Sequence, residues 1–179
     1  MNTQSRISPT SALILAIVSM CVVVVASNVL VQYKVNDWIT WGTLTFPIAF
    51  LVTDLANRYY GVGYARWVVL AGFIAGVIVS PLLAPMRIAM ASGFAFLIAQ
   101  LLDVSVFDKL RHKAWWIAPF VSTVIGAALD TYLFYGLAFH GVDPSWPQFA
   151  LGDLGVKWLV AAAALIPYAL LTSRKKVQA

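Results

Sequence analysis

Phe46-Pro47-Ile48-Ala49-Phe50-Leu51-Val52-Thr53-Asp54-Leu55-Ala56-Asn57-Arg58-Tyr59-Tyr60-Gly61 is the stretch on which the fold turns. It begins as apolar as a membrane helix and then, without leaving the helical pattern, carries Asp54, Asn57 and Arg58. A charge at the centre of a membrane helix costs about 3 kcal/mol on insertion scales, so such groups face a partner, a cavity or a ligand. At i, i+3 and i+4 the three side chains share one helical face, which makes that face the first candidate for a binding surface.

The composition around this stretch sets the class. Of the 179 residues, 61% are hydrophobic and 11% charged, and the mean hydropathy is +0.85. Soluble domains carry about 25% charged residues, so this reads as an integral membrane protein with no soluble domain beside it. The net charge of +5 and pI near 9.5 do not indicate a nucleic-acid partner, because the basic residues sit singly or in threes at the ends of apolar runs, where they act as topology signals. The single cysteine, Cys21, lies inside the first run and excludes an internal disulfide or a cysteine metal cluster.

Working outward in both directions, the pattern predicts six transmembrane helices in one domain over residues 11–171, flanked by cytoplasmic tails at 1–10 and 172–179. The first span covers Ser11 to Gln32 and is too long for a signal-peptide core. Lys34, Asn36 and Asp37 form a loop, with Trp38 and Trp41 as interfacial anchors. The opening stretch, from Gly42 to Tyr60, is the second span. Gly61-Val62-Gly63 makes a tight turn, and a third span runs from Trp67 to Leu83, ended by Pro81 and Pro85. Its Gly72 and Gly76, with Ser80 on the same face, form a close-packing pattern that suits either a homodimer seam or a contact within the chain.

The fourth span, Ile88 to Phe107, presents Phe96, Gln100 and Asp103 on one face, a ring, an amide and a carboxylate. The fifth, Trp115 to Phe139, aligns Ser122, Gly126 and Asp130. The sixth, Gln148 to Leu171, opens with Asp153 and Lys157, an i, i+4 pair of opposite sign that partly neutralises itself. Six spans put both termini on one side. That side collects Arg6, Arg58, Arg66, Lys109, Arg111, Lys113, Arg174, Lys175 and Lys176, against Lys34 and Arg87 on the other, so both termini are expected in the cytoplasm.

Every acid in the chain is an aspartate, and Asp54, Asp103 and Asp130 fall well inside spans. Enzyme readings find little support. His112 and His140 lie in loops, away from any serine at depth, and there is no Glu for an H-E-x-x-H zinc site and no P-loop. No cofactor and no metal is implied. What remains is a polar chamber of carboxylates, amides and hydroxyls with aromatic rings, suited to a flat heterocycle stacked on Phe96, Tyr132 or Trp158, or to a cation or proton relay. These residues alone reach a small-solute transporter or receptor.

The chain resembles the queuosine precursor transporter family of bacterial inner membranes, grouped with vitamin uptake transporters. The resemblance rests on Phe46 to Asn57 followed by Tyr60-Gly61, on Ala91 to Phe107, on Ser122-Thr123, on Leu129 to Thr131, on Leu137 to Phe139 and on the lysine of the last span. The chain departs from the family pattern at Arg58, where an acid is expected, and at Ala127-Ala128, where Ser-Gln is. The resemblance implies a multi-pass inner-membrane protein that imports the deazaguanines 7-cyano-7-deazaguanine and 7-aminomethyl-7-deazaguanine, precursors of a modified tRNA base. It implies six helices like those of energy-coupling-factor substrate-binding subunits, and with them an alternative, a binding subunit dependent on a separate ATP-driven module. By position it implies Asn28, Asp54, Asn57, Gln100, Asp103, Asp130 and Lys157 as substrate or gating residues, and Phe96 joins them as a stacking ring.

Overall fold

The computed structural model describes residues 9–36 and 38–173. Arg6, Asp37, the Arg174-Lys175-Lys176 cluster and most of both expected tails lie outside the described residues. The chain forms α1 (Pro9–Leu30), α2 (Trp41–Thr45), α3 (Pro47–Tyr60), α4 (Val62–Leu83), α5 (Met86–Leu110), α6 (Ile117–Phe139) and α7 (Trp146–Ser173). Among the described residues, the only other regular pairing is an isolated antiparallel bridge between Lys34 and Thr40.

Five helices, α1, α4, α5, α6 and α7, are long and apolar enough to cross a bilayer. The second expected span differs: it is split into α2 and α3, and the 14 residues of α3 reach only about 21 Å at 1.5 Å per residue. Pro47 is the cause. It has no N–H to donate to the preceding turn, so the ladder passes from the Phe46 N–H bonded to Gly42 O at 2.9 Å to the Ala49 N–H bonded to Phe46 O at 2.9 Å. Phe46 itself stays helical (φ −59°, ψ −38°), so the path continues in direction while its hydrogen bonding is interrupted. Pro81, expected to end the third span, instead lies inside the last turn of α4. Gly61, at φ +89°, makes the one-residue turn from α3 into α4, a conformation that glycine adopts without strain.

Contacts define the two ends of the bundle. At one end the Arg58 guanidinium donates to Arg111 O (2.9 Å), Arg111 donates to Asn57 O (3.1 Å), and the Tyr59 hydroxyl donates to Leu171 O, tying α3, α5 and α7 together. At the other end Gln32 donates to Leu83 O (3.0 Å), and Arg87 to Leu137 O (3.0 Å) and His140 O (2.7 Å). Between them the outer surface is apolar, with Val22, Trp67, Ile78, Leu82, Leu159 and Ile166 each more than 60% exposed, while Asn28, Asp54, Gln100, Asp103, Asp130 and Lys157 are buried. Oily outside and polar inside is the distribution that a hydrocarbon solvent selects. Trp38 and Trp41 at one end and Trp115 and Trp116 at the other are exposed, as rings at a membrane–water boundary are.

The Gly72/Gly76 face is used within the chain. Both glycines are buried, and a β-carbon on Gly72 would run into Met20 of α1 and lie 3.2 Å from the Phe96 ring, while one on Gly76 would lie 3.0 Å from Val24. Of the two uses open to this face, contact with α1 is the one observed.

Candidate functional site

The buried polar residues fall into two clusters along the α3–α6–α7 axis. The first lies toward the Lys34/Arg87 end. Lys157 of α7, 4% exposed, stands 2.9 Å from Asp130 Oδ2 on α6 and 2.6 Å from Asp153 Oδ2, one turn back on its own helix. Thr131 completes the knot, donating to Asp153 at 2.9 Å and lying 3.1 Å from Lys157 Nζ. Opposite them, Asn28 of α1 donates to Ser80 of α4 and accepts from Ser92 of α5, which fixes the orientation of its amide. The Phe46 ring, at the α2–α3 break, sits 5.1 Å from Lys157 Nζ in cation–π geometry.

These groups surround a chamber of about 30 Å³ that Asn28, Phe46, Ser92, Asp130, Phe134 and Lys157 help to line. Val31 is shared between this chamber and a vestibule of about 270 Å³ at the same end, walled by Gln32, Lys34, Ile88, Tyr135 and Phe149. The arrangement offers carboxylate acceptors, an ammonium and an amide donor, and an aromatic face. At standard ionisation two carboxylates facing one ammonium leave one acceptor group in excess.

The second cluster lies about two to three turns further along α3. Asp54, 2% exposed, accepts from Ser122 (3.4 Å) and Thr123 (3.3 Å) of α6. Asp103 of α5, fully buried, packs against the same face of α6, its β-carbon 3.3 Å from where a β-carbon on Gly126 would sit, one turn from Ser122. Asn57 donates to Val104 O (3.0 Å), and Thr53 Oγ1 lies 2.7 Å from the Gln100 side-chain oxygen. Between the clusters Phe46 packs edge-on against Phe50 (6.2 Å) and Phe96 (6.1 Å). Gly126 completes this wall: a β-carbon there would approach the Phe50 ring to 2.7 Å.

The expected site residues are therefore divided. Asn28, Asp130 and Lys157 meet at the chamber; Asp54 and Asp103 meet in the second cluster, with Asn57 and Gln100 beside them. Phe96 is 1% exposed and backs Phe46 without lining the chamber. The stacking roles of Tyr132 and Trp158 are not supported, since Tyr132 is 70% exposed and Trp158 turns its indole N–H outward to Val124 O at 3.3 Å. Phe46 and Phe134 are the rings at the chamber. Arg58 leaves the Asp54/Asn57 face for the bundle end. Asp153, expected only as the self-neutralising partner of Lys157, lies in the site; the signal for it is the buried stripe Asp153, Lys157, Ala161 and Tyr168, whose spacing of four, four and seven marks one helical face.

Residues 40–85 and 80–171 match the family described as "Putative vitamin uptake transporter". The chain belongs to that family. It is 35% identical to a Haemophilus influenzae protein named "Probable queuosine precursor transporter", over 72% of this chain and 66% of that one, just under two thirds of its length. It is 33% identical to the Escherichia coli "Queuosine precursor transporter", over 81% of this chain and 79% of that one. A Bacillus subtilis protein named "Probable queuosine precursor transporter" is 28% identical, over 73% and 69%. No solved structure matches. Family membership and the apolar helices together make this a multi-pass membrane protein.

Proposed function

We propose that the chain imports queuosine precursors, 7-cyano-7-deazaguanine and 7-aminomethyl-7-deazaguanine, across the bacterial inner membrane, acting as a transporter and not as an enzyme. Membership of the family and the names of its relatives support the substrate class. The observation that carries the reading at the level of residues is the Asp130–Lys157–Asp153 knot beside Asn28 and the Phe46 ring. A guanine-like edge presents N1–H and an exocyclic NH2 side by side, and one carboxylate accepts both. Asp130 or Asp153 takes that edge, Lys157 or Asn28 meets the carbonyl, and Phe46 or Phe134 stacks the ring.

The chamber's 30 Å³ is far below the roughly 300–1,000 Å³ of small-molecule sites, so entry from the vestibule requires the wall to move. The interrupted helix at Phe46-Pro47 is the natural place for it. For orientation, Arg58, Arg66, Lys109, Arg111 and Lys113 gather toward one end, against Lys34 and Arg87 at the other, which favours both termini in the cytoplasm and α2–α3 as a broken sixth span. Ala12 and Ala16 of α1 give one small-residue step of the kind a separate energising module would dock on, but Ala16 packs onto the chain's own core, so the module-dependent alternative draws little from it.

The test is binding of 7-cyano-7-deazaguanine to the purified protein by calorimetry. Asp130→Asn and Asp153→Asn should weaken it tenfold to a hundredfold, matching about 1.5–3 kcal/mol for a charged hydrogen bond. A wild-type protein that is folded and does not bind would overturn the reading.

A further inference from the structure

The second cluster has a property that substrate recognition does not use. Asp54 and Asp103 are acceptor-only groups facing each other in the interior, and two such groups satisfy one another only through a hydrogen or a cation between them. Among the described residues no salt bridge reaches either carboxyl. The nearest basic groups are committed at the bundle end, Arg58 to Arg111 O and Arg111 to Asp108 and Asn57 O. What α6 presents to the pair is Ser122 and Thr123, and what α7 presents is Tyr168, all uncharged.

A second observation extends to the neighbouring amides. Both oxygens of Asp103 have no hydrogen-bond partner among the described residues, and neither do Asn57 Oδ1 and Gln100 Nε2, one turn from Asp54 and Asp103 on the same buried faces. Leaving such groups unmet costs about 1–3 kcal/mol each, more for charged ones. An isolated pair of ionised carboxylates at membrane depth is far worse.

We propose that the Asp54–Asp103 pair is a proton-binding site that couples uptake to the transmembrane proton gradient, separated from the substrate chamber by the Phe46–Phe50–Phe96 wall. The site favours a proton over a sodium ion because the cavity beside Asp54 measures only about 10 Å³, too small for a metal ion with its shell of oxygen ligands. Ser122, bonded to Asp54 at 3.4 Å and one turn from the Gly126 contact with Asp103, lies where its hydroxyl can follow the proton from one carboxyl to the other. One proton enters with each molecule of 7-cyano-7-deazaguanine, which is neutral, and leaves on the inner side, so no co-reactant is needed. The coupling role rests on the transport reading above; the proton site itself does not.

The experiment therefore has two readouts. In proteoliposomes holding the purified chain, a one-unit pH gradient, alkaline inside, should concentrate labelled 7-cyano-7-deazaguanine about tenfold for one proton per substrate. A protonophore or Asp103→Asn should return the ratio to one. Accumulation that survives the protonophore, or that follows a sodium gradient alone, would overturn coupling to protons. Independently of transport, infrared spectroscopy of the purified protein should show a buried carboxylic-acid C=O band that is lost in both Asp54→Asn and Asp103→Asn. A band present without any substrate movement would retire the transport reading and leave the proton site standing. No such band, or one unchanged in both variants, would refute the site.

Discussion

The two buried clusters are built from the same materials and differ in one: the first carries its own cation. Around the chamber, Lys157 lies between Asp130 and Asp153 and the charges are met by permanent side chains. In the second cluster, among the described residues, Asp54 is bonded by the Ser122 and Thr123 hydroxyls and Asp103 by none, and no cation reaches either. A cluster whose carboxylates share a resident ammonium is held together while it waits for a ligand, and its groups can be lent to a substrate and recovered. A cluster lacking a cation has to take one from the medium, which ties its state to ion concentration. The aromatic wall keeps the two apart, so each works without shorting the other.

Removing the cation from the first cluster is the harshest way to erase the difference. Lys157→Met leaves two carboxylates unpaired in the interior and should destabilise the fold by about 3–5 kcal/mol, the usual consequence of breaking a buried pair from one side, seen as a lower unfolding midpoint in detergent together with loss of substrate binding. Next in size is Gly126→Ala. Its β-carbon would press on Phe50 in the wall, and overpacking of this kind costs about 1–3 kcal/mol; the same unfolding measurement checks it.

Asp54→Asn sharpens the comparison from the other side. It supplies a donor where two acceptors meet, so stability should change by less than about 1 kcal/mol or rise, since an unmet buried acceptor gains a partner, while concentrative uptake disappears. A large loss of stability there would mean that the pair is held by a permanent partner. The smallest effect belongs to Tyr132→Ala. The ring faces the lipid side, and surface changes typically stay within about 0.5 kcal/mol, so binding and uptake should match wild type; a tenfold loss would return Tyr132 to the site.

What the sequence made legible follows from the solvent. The five long spans and the buried identities of Asn28, Asp54, Asp103, Asp130 and Lys157 were readable because hydrocarbon tolerates no idle polar group. The alignment of Ser122, Gly126 and Asp130 was readable too, and in the structure that one face of α6 passes the second cluster, the wall and the chamber in turn. The direction of the aromatic rings was not. In a membrane protein the outward face is as apolar as the core, so periodicity does not say whether Tyr132, Trp158 or Phe96 points inward. Small residues mark the inside better, as Gly72 shows against α1. Pro47 did carry a signal, a proline that opens a helix, but the apolar run continues across it and conceals the break.

The most direct test of the central claim, precursor import through the Lys157 chamber, is the queuosine content of tRNA in a bacterium that lacks both precursor synthesis and its own importer, at limiting external 7-cyano-7-deazaguanine. Expression of the wild-type chain should restore queuosine, and Lys157→Met and Asp130→Asn should fail to restore it at equal membrane abundance. Queuosine that stays absent with folded wild-type protein in the membrane, or that is restored equally by both variants, would contradict the account.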